Sequence, residues 1–385
     1  MRRSTLAVIT ISLVVLAIII WLLVTNSQLL SFKLPLINWS FLPGSEIQSP
    51  FVAWEKPAEL PLLKYTIPNL KRYNFQTSQI KIGQYLDESD SHWAVSFSYL
   101  TQGKKVSGVI NFPKDPPENK LPVIVMLRGW VPQENYYPGL GTKNAAAYFA
   151  KNGFVTFAPD FLSYGQSDPE PENSWEARFI KPIQVIELIK TIKQESEIKV
   201  DLKEVQTKLT LSPEQLGLWG HSNGGQIALT VLEVLSEPIP TSLWAPVTAP
   251  FPYSILFFSD EHPDEGKQMR AWLAQLEQDY DVLEFSLTQY LTELTGPIQI
   301  HHGTADDAAL ISWSDEFRDS VELENERREK EHEEMGEIGE ASLTGLEPIN
   351  LTYYRYPGAD HNLKPNWSQV VTRDVQFFNN WLQKN

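Results

Sequence analysis

The 385-residue sequence contains no cysteine. That removes disulfides, zinc–thiolate sites, iron–sulfur clusters and thiol nucleophiles together, and leaves the chain indifferent to the redox state of its compartment. Positive charge is also scarce: 32 Lys+Arg face 48 Asp+Glu, a net charge of −16 with a pI near 4.9. A field of that sign repels a polyanion, so nucleic acid is not expected as a partner. Aromatic residues are plentiful instead, with 12 Trp, 14 Tyr and 18 Phe within a hydrophobic fraction of 42%. Such a chain builds a large core, which excludes wholesale disorder. Its length allows one large domain or two ordinary ones.

Arg2 and Arg3 precede an apolar run, Leu6 to Val24, interrupted only by Thr10 and Ser12. At about 1.5 Å per residue this run spans roughly 28 Å, close to the hydrocarbon thickness of a bilayer. A cleaved signal has a shorter apolar core and a small-residue cleavage site, whereas Thr25-Asn26-Ser27-Gln28 follows here. Residues 1–25 therefore read as an uncleaved transmembrane anchor, with residues 6–24 in the membrane. The basic N-terminus is expected on the cytoplasmic side and the rest of the chain outside. Residues 26–60 carry Pro35, Pro43, Pro50 and Pro57 without clear periodicity and read as a Pro-rich spacer.

Residues 61–385 read as one α/β domain. The alternating Trp93–Leu100, a turn at Thr101-Gln102-Gly103-Lys104 and Val106–Phe112 predict a hairpin. Pro122–Leu127 is uniformly apolar, as in a strand buried on both faces of a parallel sheet. Helical patterns at Asn144–Asn152, Trp175–Gln194, Gln226–Leu235 and Val370–Leu382 alternate with strands at Phe154–Ala158, Leu216–Trp219, Pro297–His301 and Leu351–Tyr356. This alternation predicts a mostly parallel sheet flanked by helices. Two segments break the rhythm. Residues 251–295 have helical spacing and many aromatics, and read as a lid-like insertion. Residues 315–346 read as an acidic insertion, in which Asp315–Glu340 holds 12 acidic and 4 basic residues. A solvated helix with a following loop accounts for that charge better than a docking surface for a cationic partner.

The chemistry is concentrated in Gly220-His221-Ser222-Asn223-Gly224-Gly225, a Gly-x-Ser-x-Gly segment between a strand and a helix. A nucleophilic serine on such a turn has its oxygen clear of the backbone, and the flanking glycines let strand and helix approach. Its base must be a histidine oriented by a carboxylate. The chain order Ser222, Asp306, His361 satisfies the serine–acid–histidine sequence of an α/β-hydrolase triad. Asp307 is the local rival for the acid. His301 and His302 are adjacent on a strand and face opposite ways, which reads as structural rather than as a metal pair.

Four segments carry a resemblance: Val123–Trp130, Ala158–Asp168, Gly220–Gly225, and His302-Gly-Thr-Ala-Asp306 together with Tyr356-Pro-Gly-Ala-Asp-His361. Over about residues 95–385 the sequence resembles the α/β-hydrolase superfamily, and within it the catalytic domain of the prolyl oligopeptidase family. The resemblance implies Ser222 as nucleophile, His361 as general base and then acid, and Asp306 as orienting carboxylate. It implies an oxyanion hole from the backbone N–H groups of Asn223 and Trp130. Three departures stand out. Arg128-Gly129-Trp130 replaces the usual His-Gly, so a cation is expected either near the acyl pocket or, better, paired with a carboxylate. The stretch before the first strands is too short for a β-propeller. The 55 residues from Asp306 to His361 include the acidic insertion as extra material.

The expected function is that of a membrane-anchored serine hydrolase, a serine-type peptidase or esterase cleaving a peptide or ester bond through an acyl-enzyme. No cofactor and no metal are expected. The alternatives on the same fold are an acyltransferase or thioesterase, and a non-catalytic binding protein. Recognition of a free amino terminus would call on acidic side chains, with Asp260, Glu261, Asp264 and Glu265 the candidates by position.

Overall fold

A computed structural model of the chain describes residues 59–383, apart from 90, 117–118, 261 and 337–346. The expected anchor, nearly all of the spacer and the last part of the acidic insertion lie outside the described residues. Among the described residues no helix is long and apolar enough to cross a membrane.

The core is a twisted sheet of strands β1 (Lys81–Glu88), β2 (His92–Thr101), β3 (Lys104–Pro113), β4 (Leu121–Leu127), β5 (Val155–Pro159), β7 (Gln206–His221), β8 (Thr241–Trp244), β9 (Ile298–Gly303) and β10 (Leu351–Tyr356). Their spatial order is β1-β2-β3-β5-β4-β7-β8-β9-β10, with β6 (Glu197–Asp201) off this path, paired antiparallel to the start of β7. The first three strands form an antiparallel meander, and β3 meets β5 antiparallel. From β5 through β10 every pairing is parallel. All seven residues of β4 are buried, as its unbroken apolar composition requires in the middle of a parallel sheet.

Helices α1 (Lys143–Lys151), α2 (Ser174–Phe179), α3 (Lys181–Gln194), α4 (Asn223–Leu235) and α8 (Trp367–Leu382) cover the sheet. The expected single helix over Trp175–Gln194 is two helices. Pro182 has no N–H to give to the preceding turn, so α2 ends and α3 starts afresh with proline in its first turn. The strand expected at Leu216–Trp219 is the far end of the 16-residue β7, whose first residues pair with β6 and bury Leu209 and Leu211 in the core. Ahead of the sheet, residues 63–70 form two short helical turns.

Residues 251–295 are helical, with α5 (Tyr253–Ser259), α6 (Lys267–Asp279) and three short turns to Glu293. The acidic run lies on α7 (Ile311–Gly336). That helix is more than a solvated face. Phe317, Val321, Glu324 and Arg328 are buried along one side. The Arg328 guanidinium donates to Glu324 Oε1 at 2.8 Å and to the carbonyls of Glu347, Thr292 and Leu294 at 2.7, 3.0 and 3.1 Å. It thereby ties the acidic helix to the end of the 251–295 insertion.

Beneath β7, β8 and β9 sits Asp374 of α8, fully buried. It accepts from Trp244 Nε1 at 2.7 Å, Ser242 Oγ at 2.5 Å and Gln299 Nε2 at 3.0 Å, and lies 3.0 Å from His301 Nε2. Replacing Asp374 by Ala leaves these donors unpaired inside the protein, and is expected to lower stability by about 3–5 kcal/mol in urea unfolding. Glu233 of α4 is the opposite case: it is buried and neither carboxylate oxygen has a partner among the described residues. Burial, with Glu293 nearby, pushes its carboxyl well above the free value of 4.5. The fold therefore favours the protonated form, and stability that is full below pH 4.5 declines as pH rises towards the raised value. Urea titrations should find Glu233→Gln increasingly stabilising from pH 5.5 to 7.5, by up to about 1.4 kcal/mol per pH unit, and nearly neutral at pH 4.

Candidate active site

Strand β7 ends at His221 and helix α4 begins at Asn223, so the direction of the chain changes at Ser222 alone. Ser222 takes φ 56° and ψ −122°, a conformation that costs a non-glycine residue of order 1–3 kcal/mol. The surroundings hold it there. Its N–H donates to the Trp244 carbonyl at 2.9 Å, and its own carbonyl accepts from Gly225 and Val247 at 2.9 and 3.2 Å. The flanking glycines are steric requirements. A Cβ on Gly220 would sit 2.7 Å from the Gly224 carbonyl oxygen, and one on Gly225 would sit 2.6 Å from Pro246 Cβ. A Cβ on Gly224 would overlap the Leu127 carbonyl.

The loop after β4 lies against this turn, since a Cβ on Gly129 would come within 3.1 Å of Ser222 Cβ. The backbone of Trp130, one residue on, is therefore next to the serine, while its ring is largely exposed. Ser222 and Asn223 are both partly exposed.

Asp306 lies on the turn after β9 and His361 on the loop after β10, neighbouring parallel strands that end on the same side of the sheet as β7. The fold brings the two together: His361 Nδ1 is 2.8 Å from Asp306 Oδ2. The other carboxylate oxygen accepts from the N–H groups of Ala308 and Ala309, both at 2.9 Å. Asp307, the rival acid, is exposed and has no contact with His361. A carboxylate at Nδ1 fixes the proton there and leaves Nε2 with a lone pair.

His302 contributes something its sequence position did not announce. It is buried, as expected of a structural residue, but its Nε2 lies 3.2 Å from Asp306 Oδ2 and 2.9 Å from the Ala309 carbonyl. Both neighbours are acceptors, so Nε2 carries the proton and Nδ1 accepts from Ser314 Oγ at 2.7 Å. Asp306 is thus gripped by two histidines. Burial opposes its ionisation, yet the hydrogen bonds from His302 and His361 outweigh it and hold the carboxyl well below the usual range. His221 packs its ring 4.7 Å from that of His361 and puts Nε2 2.9 Å from the His361 carbonyl. Burial first, then the neighbouring His361, pushes His221 down to about 4, so it stays neutral beside the base.

Arg128 fits neither expectation made for it. Its guanidinium is buried in an aromatic cage, 4.0 Å from the Tyr164 ring centre and 4.6 Å from that of Tyr136. It donates to the carbonyls of Gly129 and Asp160, both at 2.9 Å, and not to a carboxylate. The Asp160 side chain is taken by Tyr136 and Ser107, each at 2.5 Å. Arg128 thus braces the loop that carries Gly129 and Trp130. The acidic residues considered for amino-terminus recognition are locally engaged as well. Asp260 pairs with Arg270, Asp264 accepts from the backbone of Gly266 and Gln268, and Glu265 pairs with Lys267. Glu261 lies outside the described residues.

Residues 122–283 match the family described as the alpha/beta hydrolase fold. No curated protein sequence matches the chain. Among solved structures, an acetyl xylan esterase from a Paenibacillus species aligns with a TM-score of 0.55 at 14% identity, over 84% of this chain and 95% of that one. Acetyl xylan esterase 1 from a Thermoanaerobacterium species aligns at 0.51 with 11% identity, over 85% and 96%. A dipeptidyl peptidase 4 from Porphyromonas gingivalis gives 0.49 with 16% identity, over 81% of this chain and 37% of that one. The protein has the α/β-hydrolase fold. Its motif segments resemble those of the α/β-hydrolase superfamily and, within it, prolyl oligopeptidase catalytic domains.

The elbow makes a sharp steric prediction. Gly224→Ala should lower stability by about 1–3 kcal/mol or more in urea unfolding, because the methyl group has no space between α4 and the end of β4.

Proposed function

We propose that the protein is a serine hydrolase acting on carboxylic esters, with Ser222 as nucleophile, His361 as general base and acid, and Asp306 as orienting carboxylate. The observation that carries this reading is the 2.8 Å contact between His361 Nδ1 and Asp306 Oδ2, made across 55 residues of sequence. His361 packs against His221, the residue before a serine held at positive φ between a strand and a helix. The Ser222 hydroxyl has no hydrogen bond among the described residues. Serine–histidine contacts of this kind commonly tighten only with substrate in place.

In the proposed reaction Ser222 Oγ attacks the ester carbonyl while His361 Nε2 takes its proton. The tetrahedral oxyanion is received by the N–H groups of Asn223 and Trp130, donors of a type worth about 3 kcal/mol each. His361 then gives its proton to the leaving alkoxide, which departs as the alcohol. Water attacks the acyl-enzyme, loses a proton to His361, and the acid leaves as Ser222 regains its hydrogen. Asp306 keeps the imidazole oriented and stabilises it when charged, and His302 and the Ala308 and Ala309 amides keep Asp306 in place. Ester rather than amino-terminal peptide chemistry is favoured because Asp260, Asp264 and Glu265 are engaged locally. The apolar run at residues 6–24, flanked by Arg2 and Arg3, supports an anchored enzyme whose catalytic domain lies outside the cytoplasm.

A 4-nitrophenyl ester series is the direct assay. Ser222→Ala should abolish turnover, and Asp306→Asn should cut kcat by about 10⁴ through loss of the imidazole's orientation. Equal rates in all three proteins would refute the assignment.

A further inference from the structure

Helix α4 carries Asn223, Gln226 and Thr230 along one face leading away from Ser222. That face forms the floor of a cavity of about 50 Å³, walled by the rings of Phe179, Phe251 and Phe285. One water needs roughly 10–15 Å³, so the space suits a small head group.

Two cations from the α2–α3 junction, Arg178 and Lys181, line this slot. Arg178 has a hydrogen bond to Gln226 Oε1 at 3.4 Å, and neither cation makes an ion pair among the described residues. The acids around them do not neutralise them. Glu170 reaches Lys181 only through its charge, and Glu176 is held by Lys64 and the Tyr65 hydroxyl. Burial, followed by repulsion from Arg178, pushes the Lys181 ammonium down to about 8. Burial likewise lowers Arg178 to about 10. Partly buried charge without a counter-ion is costly, and here two like charges share a slot that starts at the residue after the nucleophile. An anion placed between them relieves both the desolvation and the repulsion.

The position also says which part of a substrate is involved. The leaving group has to come within reach of His361, yet no residue of the Asp306 turn or the His361 loop lines the slot. The slot opens at Asn223, next to the nucleophile, which leaves the acyl portion as the part of the substrate to reach it. Resting on the serine-hydrolase reading above, we propose that Arg178 and Lys181 bind a carboxylate at the far end of the acyl chain, making the preferred substrate a monoester of a short dicarboxylic acid. The net charge of −16 works against such a substrate, so a preference for it has to arise locally.

The test compares mono(4-nitrophenyl) succinate with 4-nitrophenyl butyrate on the detergent-solubilised full chain. Wild type should favour the succinate ester by about 10–100-fold in kcat/KM, the scale of charge-assisted hydrogen bonds. Arg178→Gln and Lys181→Gln should each lower that ratio by about 10-fold, and Lys181→Arg should preserve it. The ratio cancels any loss of folding common to both esters. A wild-type ratio at or below one, or a ratio that both glutamine variants leave intact, overturns the proposal. A second measurement separates the slot from catalysis: calorimetric binding of monomethyl succinate and methyl butyrate to Ser222→Ala. Preference for the succinate, lost in Ser222→Ala/Lys181→Gln, supports the slot even if wild type hydrolyses neither ester, an outcome that would sink only the hydrolase reading. Equal binding of the two overturns the slot.

Discussion

Ser222 stands at the only residue between strand β7 and helix α4, at φ 56° and ψ −122°, and the rest of the site depends on that single reversal. It points a serine away from both elements and opens α4 with free N–H groups beside it. It also presses α4 against the end of β4 at Gly224, against the end of β7 at Gly220 and against Pro246 at Gly225, which leaves none of the three room for a Cβ. Because the loop after β4 is drawn into the same contact, Gly129 rests on the serine and Trp130 follows. Arg128, caged by Tyr136, Phe161 and Tyr164, holds that loop from behind without entering the reaction.

The second half of the site is built from the ends of β9 and β10, and its rigidity comes from redundancy. Asp306 has no unsatisfied oxygen: two amides serve Oδ1 and two histidines share Oδ2. A carboxylate held this way keeps its charge at any ordinary pH and offers His361 a single orientation. Below, Asp374 of α8 ties β9 to its neighbour β8, accepting from Ser242 and Trp244 of β8 and from Gln299 of β9. Polar groups buried in networks as complete as this one favour a unique arrangement over alternative packings.

Much of this was legible in the sequence because it rests on local rules. Uniform burial made β4 apolar from end to end, and the turn at Ser222 demanded glycines at fixed offsets. The chain order then left Asp306 and His361 as its partners. What escaped were features set by tertiary contact. The split at Ile180 depended on weighing Pro182 against an otherwise continuous helical pattern. The first half of β7 escaped because its two buried leucines, Leu209 and Leu211, stand among polar residues. Arg128 looked available for a carboxylate, since nothing local announces that Phe161 and Tyr164, from the loop after β5, join Tyr136 around it. His302 was readable as buried but not as a ligand of Asp306, because the tight turn between them appears only in three dimensions. Nothing local marks Arg178 and Lys181 either, since their lack of an ion pair is a property of what surrounds them.

The central claim is that Ser222 is a nucleophile activated by His361. Its most direct test is to treat the full-length protein with a fluorophosphonate and locate the adduct by peptide mass spectrometry. The account predicts one modified residue, Ser222, with labelling lost in His361→Ala protein that retains the wild-type circular dichroism spectrum. An unlabelled but folded wild-type protein, or an adduct on another residue, would contradict it.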